Sequence, residues 1–213
     1  MDRLIKSYAS TPFDELSWCQ KEEIMYQTDM TKSVEYQEGY FEKYVKYENT
    51  EISKKLNEGR TKITSEYCES ILDIGVGSGE FIKSSKIKTF GFDINPKAID
   101  WLKSNNIFMD PYQDDLKVAG LTFWDSLEHI PNPSNLLCKI SKNQYVFISI
   151  PIFKNFPQIK NSKHYRPNEH YYYFTSYGLI NYMKDSDFDL IKLDDFETKA
   201  GREEILTFVF VKR

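Results

Sequence analysis

Cysteine is scarce in this chain: Cys19, Cys68 and Cys138 are the only three among 213 residues, widely spaced and with no CxxC pair. That excludes a disulfide framework and suits a reducing, cytoplasmic compartment. No run approaches the roughly 18 apolar residues of a membrane helix. The N-terminal MDRLIKSYASTPFDELSW lacks the apolar core of a secretion signal. Basic charge is not in excess, since 28 Lys and Arg stand against 32 Asp and Glu for a net charge of −4. Duplex nucleic acid held mainly by electrostatics is therefore disfavoured as a partner, although a nucleotide or short nucleic-acid substrate stays open. Histidine is limited to His129, His164 and His170. No internal repeat and no low-complexity linker is present. What is there is an ordinary globular composition, 40% hydrophobic and 28% charged, with 15 Tyr beside 15 Phe. The length fits one domain with an appendage and leaves the oligomeric state unassigned.

Three stretches differ in texture. Residues 1–67 are polar and helical in pattern and form the expected N-terminal extension. Thr11-Pro12 before Asp14-Glu15 reads as an N-cap, a proline at the first helical position and acids in the first turn. Ile52, Leu56 and Ile63 fall on one helical face, as do Tyr36, Tyr40, Tyr44 and Tyr47. Residues 68–213 form the expected core. Short apolar runs alternate with capped helices there: Ile71–Ile74, Thr89–Phe92, Ile107–Met109, Leu121–Trp124 and Val146–Ile150 are strands, with helix starts at Asn95-Pro96 and Asn132-Pro133. Repeated strand–helix–strand units predict an α/β fold, a mostly parallel sheet with helices on both faces. A helix over Ser176–Met183 follows. Strands near 188–196 and 205–211, joined through Lys199-Ala200-Gly201-Arg202, close the sheet with an antiparallel pair.

The sharpest motif is Asp73-Ile74-Gly75-Val76-Gly77-Ser78-Gly79-Glu80. It sets three alternate glycines between a strand and a helix, where positive φ and close approach of a ligand to the backbone are both permitted. A dinucleotide fingerprint, counted from Gly75, needs its third glycine at the position of Glu80, which argues against NAD or FAD. Acids recur at the strand ends, at Asp73, Asp93 and Asp110, and ligands of open α/β sheets bind at those ends.

This arrangement resembles the cofactor loop of class I S-adenosylmethionine-dependent methyltransferases, an acid followed by GxGxG. The resemblance implies a Rossmann-like sheet of seven strands with a helical N-terminal lid. It implies that Asp73, Gly75, Gly77 and Gly79 hold the methionine end of the cofactor, Asp93 the ribose hydroxyls and Asp110 the adenine amine. Ile94 would lie against the adenine ring, and Trp124 and Asp125 would close the site at the fourth strand. Further stretches are similar to a bacterial and phage subgroup related to ubiquinone-biosynthesis O-methyltransferases. They are Trp124 to Pro133 (like "LEHIPDP"), Ser149-Ile150-Pro151, and His164 to Phe174 (like "HxxPxEHxxYF").

His129 is the first candidate general base and His170 the second, histidine being the usual base near neutral pH. Asp125, Glu128 and His129 form a D-x-x-E-H cluster that could hold a divalent ion, the less favoured reading. Asp110-Pro111-Tyr112 lacks the second proline of amino-methylating DNA enzymes, and no Pro-Cys nucleophile is present, so DNA base methylation is disfavoured. The expected activity is methyl transfer to an oxygen or nitrogen of a small molecule. The alternatives are a non-catalytic S-adenosylmethionine-binding protein, or a methyltransferase acting on a tRNA, a glycan or a modified nucleotide.

Overall fold

From residue 70 onward the alternating apolar runs build one twisted sheet. The computed structural model describes residues 10–13, 16–19, 22–29, 31 and 48–213. The sheet strands are β4 (Ser70–Ile74), β5 (Lys88–Phe92), β6 (Gly120–Trp124), β7 (Tyr145–Pro151), β9 (Phe188–Asp194) and β10 (Ile205–Lys212), in the order β5-β4-β6-β7-β10-β9. β4, β5, β6 and β7 run parallel, and β10 is antiparallel to both β7 and β9. β6 is buried at all five positions and β7 at six of seven, as strands covered on both faces should be. Winding reverses between β4 and β6, which makes their carboxyl ends the switch point where such sheets bind ligands.

The helices between the strands follow their caps. α3 (Pro96–Ser104) starts at Asn95, whose side chain accepts from the Lys97 N–H, with Pro96 at the first helical position. α2 (Glu80–Ser84) leaves directly from Gly79. α4 (Ser134–Leu137) is a single turn after Asn132-Pro133, α5 spans Phe156–Asn161, and α6 (Ser176–Lys184) is capped by Thr175. α7 (Phe196–Lys199) lies between β9 and β10, so the antiparallel pair is joined by a helical turn.

Two expectations about the sheet and the N-terminus are corrected. The sheet has six strands among the described residues, where seven were expected. The run Ile107–Met109 contributes only one parallel bridge, Phe108 to Gly91, with hydrogen bonds from Gly91 N to Ile107 O and from Met109 N to Gly91 O. Pairing stops because Pro111 has no N–H and the Asp110 N–H is taken by Asp114 Oδ2 at 2.7 Å. The described part of the N-terminal extension before residue 48 is not helical. β1 (Ser10–Phe13), β2 (Leu16–Cys19) and β3 (Ile24–Gln27) form an antiparallel sheet with β8 (Tyr172–Phe174), in the order β1-β2-β3-β8. Thr11-Pro12 therefore sits in an edge strand, where a proline costs no ladder bond on its outer side. Tyr36, Tyr40, Tyr44 and Tyr47 lie outside the described residues.

α1 (Glu51–Ser65) is a helix, capped by Thr50, but its buried face is Ser53, Asn57, Thr61, Ile63 and Thr64. Ile52, expected on that face, is 38% exposed. The helix turns a polar stripe inward because it rests on a polar rim: Thr61 Oγ1 donates to Ser84 O, and Arg60 reaches Glu197. Cys19, Cys68 and Cys138 are free thiols, and no described helix is long and apolar enough to cross a membrane.

Candidate cofactor and acceptor site

The glycine loop is shaped by backbone that other residues adopt at a cost. Gly75, Gly77 and Gly79 have φ of 82°, 55° and 74°. The three differ in what surrounds them. A Cβ on Gly75 would come within 2.8 Å of Ser126 Cβ, and one on Gly79 within 2.6 Å of the Trp101 ring. Gly77 instead has its N–H held by Asp93 Oδ2. Gly75 and Gly79 are thus required by packing as well as by their positive φ, and Gly77 by its φ.

The acids stand around this loop. Asp73 is buried, and its Oδ1 accepts from Thr122 Oγ1 at 2.7 Å. Burial pushes its carboxyl up to about 7, although the Thr122 bond and the Arg60 charge pull the other way. Asp93 clasps the loop: Oδ2 accepts from the Gly77 N–H at 3.1 Å and Oδ1 from the Asn95 N–H at 2.8 Å. Burial raises its pKa against those bonds. Ile94, 65% exposed, forms an apolar lip beside it. Asp110 Oδ1 accepts from the Tyr112 N–H at 2.8 Å, and the Tyr112 ring meets Phe92 edge-on at 5.7 Å. Glu80, the residue that breaks the dinucleotide pattern, accepts from the Asn49 N–H at 2.9 Å and ties the loop to the segment before α1.

At the end of β6, Trp124 is buried between Phe81, edge-on at 5.4 Å, and the Arg60 guanidinium, 5.0 Å from the ring centroid. Its Nε1 has no partner among the described residues, nor has the buried Oγ of Ser126. Asp125, at φ 54°, is part of a network of four charges. Its two oxygens accept from Arg202 at 2.7 and 2.9 Å, and Arg60 approaches at 3.5 Å. Both arginines also bind Glu197, whose side chain is fully buried, at 2.8 Å from Arg60 and 2.5 Å from Arg202. Burial pushes the Asp125 carboxyl up, but the Arg202 charge and hydrogen bonds, then Arg60, hold it below its ordinary value. Arg60, Glu197 and Arg202 were not singled out from the sequence. They come from α1, α7 and the α7–β10 turn, and no local pattern marks them.

The structure brings the histidines together. His129 and His170 meet edge to face with ring centroids 4.6 Å apart, and the Tyr171 N–H donates to Glu128 O at 2.8 Å. Burial lowers all three histidines, His170 to about 2, with the His129 and Arg166 charges adding to its shift. All three imidazoles are therefore neutral near pH 7. Glu128 is buried beside them, and burial, then the Asp125 charge, pushes its carboxyl well up. The D-x-x-E-H group of Asp125, Glu128 and His129, the less favoured reading, is not the one whose ligand atoms converge. Asp125 is committed to Arg202, and the group that converges is Glu128, His129 and His170. Beyond β7 a cleft of about 640 Å³ opens, lined by Glu23, Phe153, Lys154, Thr175, Tyr177 and Glu204 among others.

The methyltransferase-domain family matches residues 36–193, most of the chain and all of the glycine loop. The chain belongs to that family. This methyltransferase transfers methyl groups with S-adenosylmethionine as cofactor, and the positive-φ glycine loop held by Asp93 fits that group. No curated protein matches the chain. Solved structures agree on the fold. A SAM-dependent methyltransferase from Archaeoglobus fulgidus is 19% identical, with 81% of this chain and 99% of that one covered, at a TM-score of 0.58. Magnesium protoporphyrin IX methyltransferase from Synechocystis, solved with bound SAH, is 13% identical over 84% and 96%, at 0.59. A possible histamine N-methyltransferase from Thermotoga maritima is 14% identical over 82% and 96%, also at 0.59. At these identities the likeness concerns the fold.

Proposed function

We propose that this methyltransferase acts on an oxygen or nitrogen of a small molecule, and that it belongs with the relatives of ubiquinone-biosynthesis O-methyltransferases. The observation that carries the reading is the positive-φ glycine loop clasped by Asp93 and preceded by buried Asp73, at the switch point of the sheet. When bound, the cofactor supplies an electrophilic methyl on its sulfonium. The chain's part is to bind and align. Asp93, already accepting two backbone N–H groups, offers its carboxylate to the ribose hydroxyls, and Asp110 with Ile94 frames the adenine. Asp73 and the glycines Gly75, Gly77 and Gly79 receive the methionine end. Trp124 and Asp125 form the floor and far wall, and Asp125 acts there by holding Arg60 and Arg202 in place.

A small acceptor is supported by the modest cleft beyond β7 and by the net negative charge. His129 and His170 stand on the acceptor side, after β6 and before β8. As neutral imidazoles they offer a lone pair, to a proton or to a cation. Residues 1–67 supply the lid, and alignment of the acceptor with the methyl provides much of the rate. The test is incubation with methyl-labelled S-adenosylmethionine and a metabolite extract, followed by mass spectrometry of labelled products. Label in a small molecule supports the reading. Label only in RNA or glycan moves the acceptor to a larger class, and cofactor binding without turnover makes the chain a non-catalytic binder.

A further inference from the structure

Glu128, His129 and His170 carry chemistry that the glycine loop does not use. We propose that these three side chains form a site for one divalent cation of the zinc–manganese class, bound by a carboxylate oxygen and two imidazole nitrogens. The first support is convergence: one ligand atom from each residue lies within 4.8 Å of the other two. Atoms about 2.0–2.2 Å from a shared ion are at most about 4.4 Å apart, so small side-chain rotations close the site. The second support is independent. Glu128 is only 2% exposed, yet among the described residues its Oε2 has no hydrogen-bond partner, and the buried Nδ1 of His129 has none. Unpartnered polar atoms away from water are costly, and one cation would satisfy both.

The surroundings permit added positive charge. Arg202 is already bound to Asp125 and Glu197, and Arg166 is bound to Glu169 at 3.0 Å. The neighbouring guanidiniums are thus compensated. The site is also braced, because the Tyr171 N–H bond to Glu128 O joins the turn after β6 to the segment carrying His170. The donor set selects the ion. Two imidazoles and one carboxylate suit zinc, manganese or iron(II), whereas magnesium prefers oxygen ligands throughout. The oxygen that would have favoured magnesium, on Asp125, points to Arg202 instead. The inference does not depend on which acceptor is methylated.

The untagged full chain, stripped with a chelator, is titrated with Co²⁺ and followed by visible absorption, with Zn²⁺ as competitor. Expected is one equivalent bound with d–d bands, displaced by Zn²⁺ and not by millimolar Mg²⁺. Glu128→Gln and His170→Gln should each weaken Co²⁺ binding at least tenfold while retaining the parent's circular dichroism. His164→Ala, which changes the one histidine outside the trio, should leave the affinity within about twofold. A second readout that needs no variant is the metal content of the protein as purified, expected near one equivalent. A chain that binds S-adenosylmethionine but takes up no Co²⁺ or Zn²⁺ overturns the site and leaves the methyltransferase reading standing. So does uptake that His164→Ala weakens and Glu128→Gln and His170→Gln do not.

Discussion

Asp125 and Arg202, 77 residues apart, meet fork to fork, with Nη1–Oδ2 at 2.7 Å and Nη2–Oδ1 at 2.9 Å. The same guanidinium holds the fully buried Glu197, and Arg60 completes the square from α1. Three segments that are distant in sequence, at Arg60, at Asp125 and at Glu197 to Arg202, are therefore locked together by one network. Its geometry requires a planar, bidentate cation at 202.

Arg202→Gln should leave Glu197 and Asp125 short of compensation. Breaking a buried pair from one side costs about 3–5 kcal/mol. Because Asp125 is partly exposed, the lower end of that range is expected. Urea unfolding measures it. Arg202→Lys should recover less than half, since an ammonium cannot make two parallel bonds to a carboxylate. Full recovery by Lys would reduce the network to simple charge balance.

The glycines separate packing from binding. Gly79→Ala combines φ of 74° with a Cβ 2.6 Å from the Trp101 ring, so the fold itself should lose stability. Gly77→Ala carries the left-handed backbone penalty of about 1–2 kcal/mol at its φ of 55°. Cofactor affinity should also fall, because the added side chain stands on the loop proposed to receive the methionine end. Thermal unfolding with and without S-adenosylmethionine distinguishes the two. A Gly77→Ala protein that still gains full stabilisation from the cofactor would remove Gly77 from the site.

Asp93→Ala should weaken S-adenosylmethionine binding by roughly 1.5–3 kcal/mol, the value of hydrogen bonds to a charged group. Calorimetry reads this directly, and NAD should give no heat in either protein. Since Asp93 also fastens the Gly77 and Asn95 N–H groups, Asp93→Asn is the sharper variant. It keeps an acceptor for one of them while losing the charge. Unchanged affinity in both variants would falsify the ribose assignment.

The parts read correctly from sequence are those whose cause is local. The GxGxG turn from strand into helix and the Asn95-Pro96 helix start are written in adjacent residues. Failures occur where partners are remote. Nothing near Arg60 announces Glu197, and nothing near Glu128 announces His170. The acid chosen from the D-x-x-E-H spacing, Asp125, was claimed by Arg202 from the far end of the chain. Thr11-Pro12 carries a helix-start pattern, but β-pairing with Trp18 and Ser17 overrides it. The missing seventh strand has a local reason as well, since Pro111 and the Asp110–Asp114 bond end pairing after one bridge.

Asp73 gives a pH prediction. Its folded pKa, about 7, lies above the ordinary carboxylate value because of burial. Between roughly pH 4, where an unfolded Asp titrates, and pH 7 the folded state therefore holds more protons than the unfolded one. Stability from this group falls as pH rises through that window, and the penalty is complete above pH 7. Asp73→Asn keeps an oxygen for Thr122 and carries no charge. Its stability relative to the parent should improve on going from pH 5 to pH 8, as read from urea midpoints. A difference that does not vary with pH would place the Asp73 carboxyl in its usual range.

Removal of residues 1–45 tests whether the N-terminal segment is only a cover. β3 pairs with β8 through Ile24–Phe174, Met25–Tyr173 and Tyr26–Tyr172. Cys19, Ile24 and Tyr26 belong to the main apolar core, while Leu16 and Met25 pack with Phe153 and Tyr173. Five buried apolar side chains would be lost among the described residues, at about 1.5–3 kcal/mol for each large one. Their sum matches the whole stability of a typical domain, about 5–15 kcal/mol. The truncated chain should therefore fail to unfold cooperatively rather than survive as a core without a lid. Met25→Ala provides the graded version and should cost about 2–5 kcal/mol, because Met25 is fully buried. A truncated protein that melts cooperatively and binds S-adenosylmethionine would show that the six-stranded sheet stands alone and that β1–β3 serve the acceptor only.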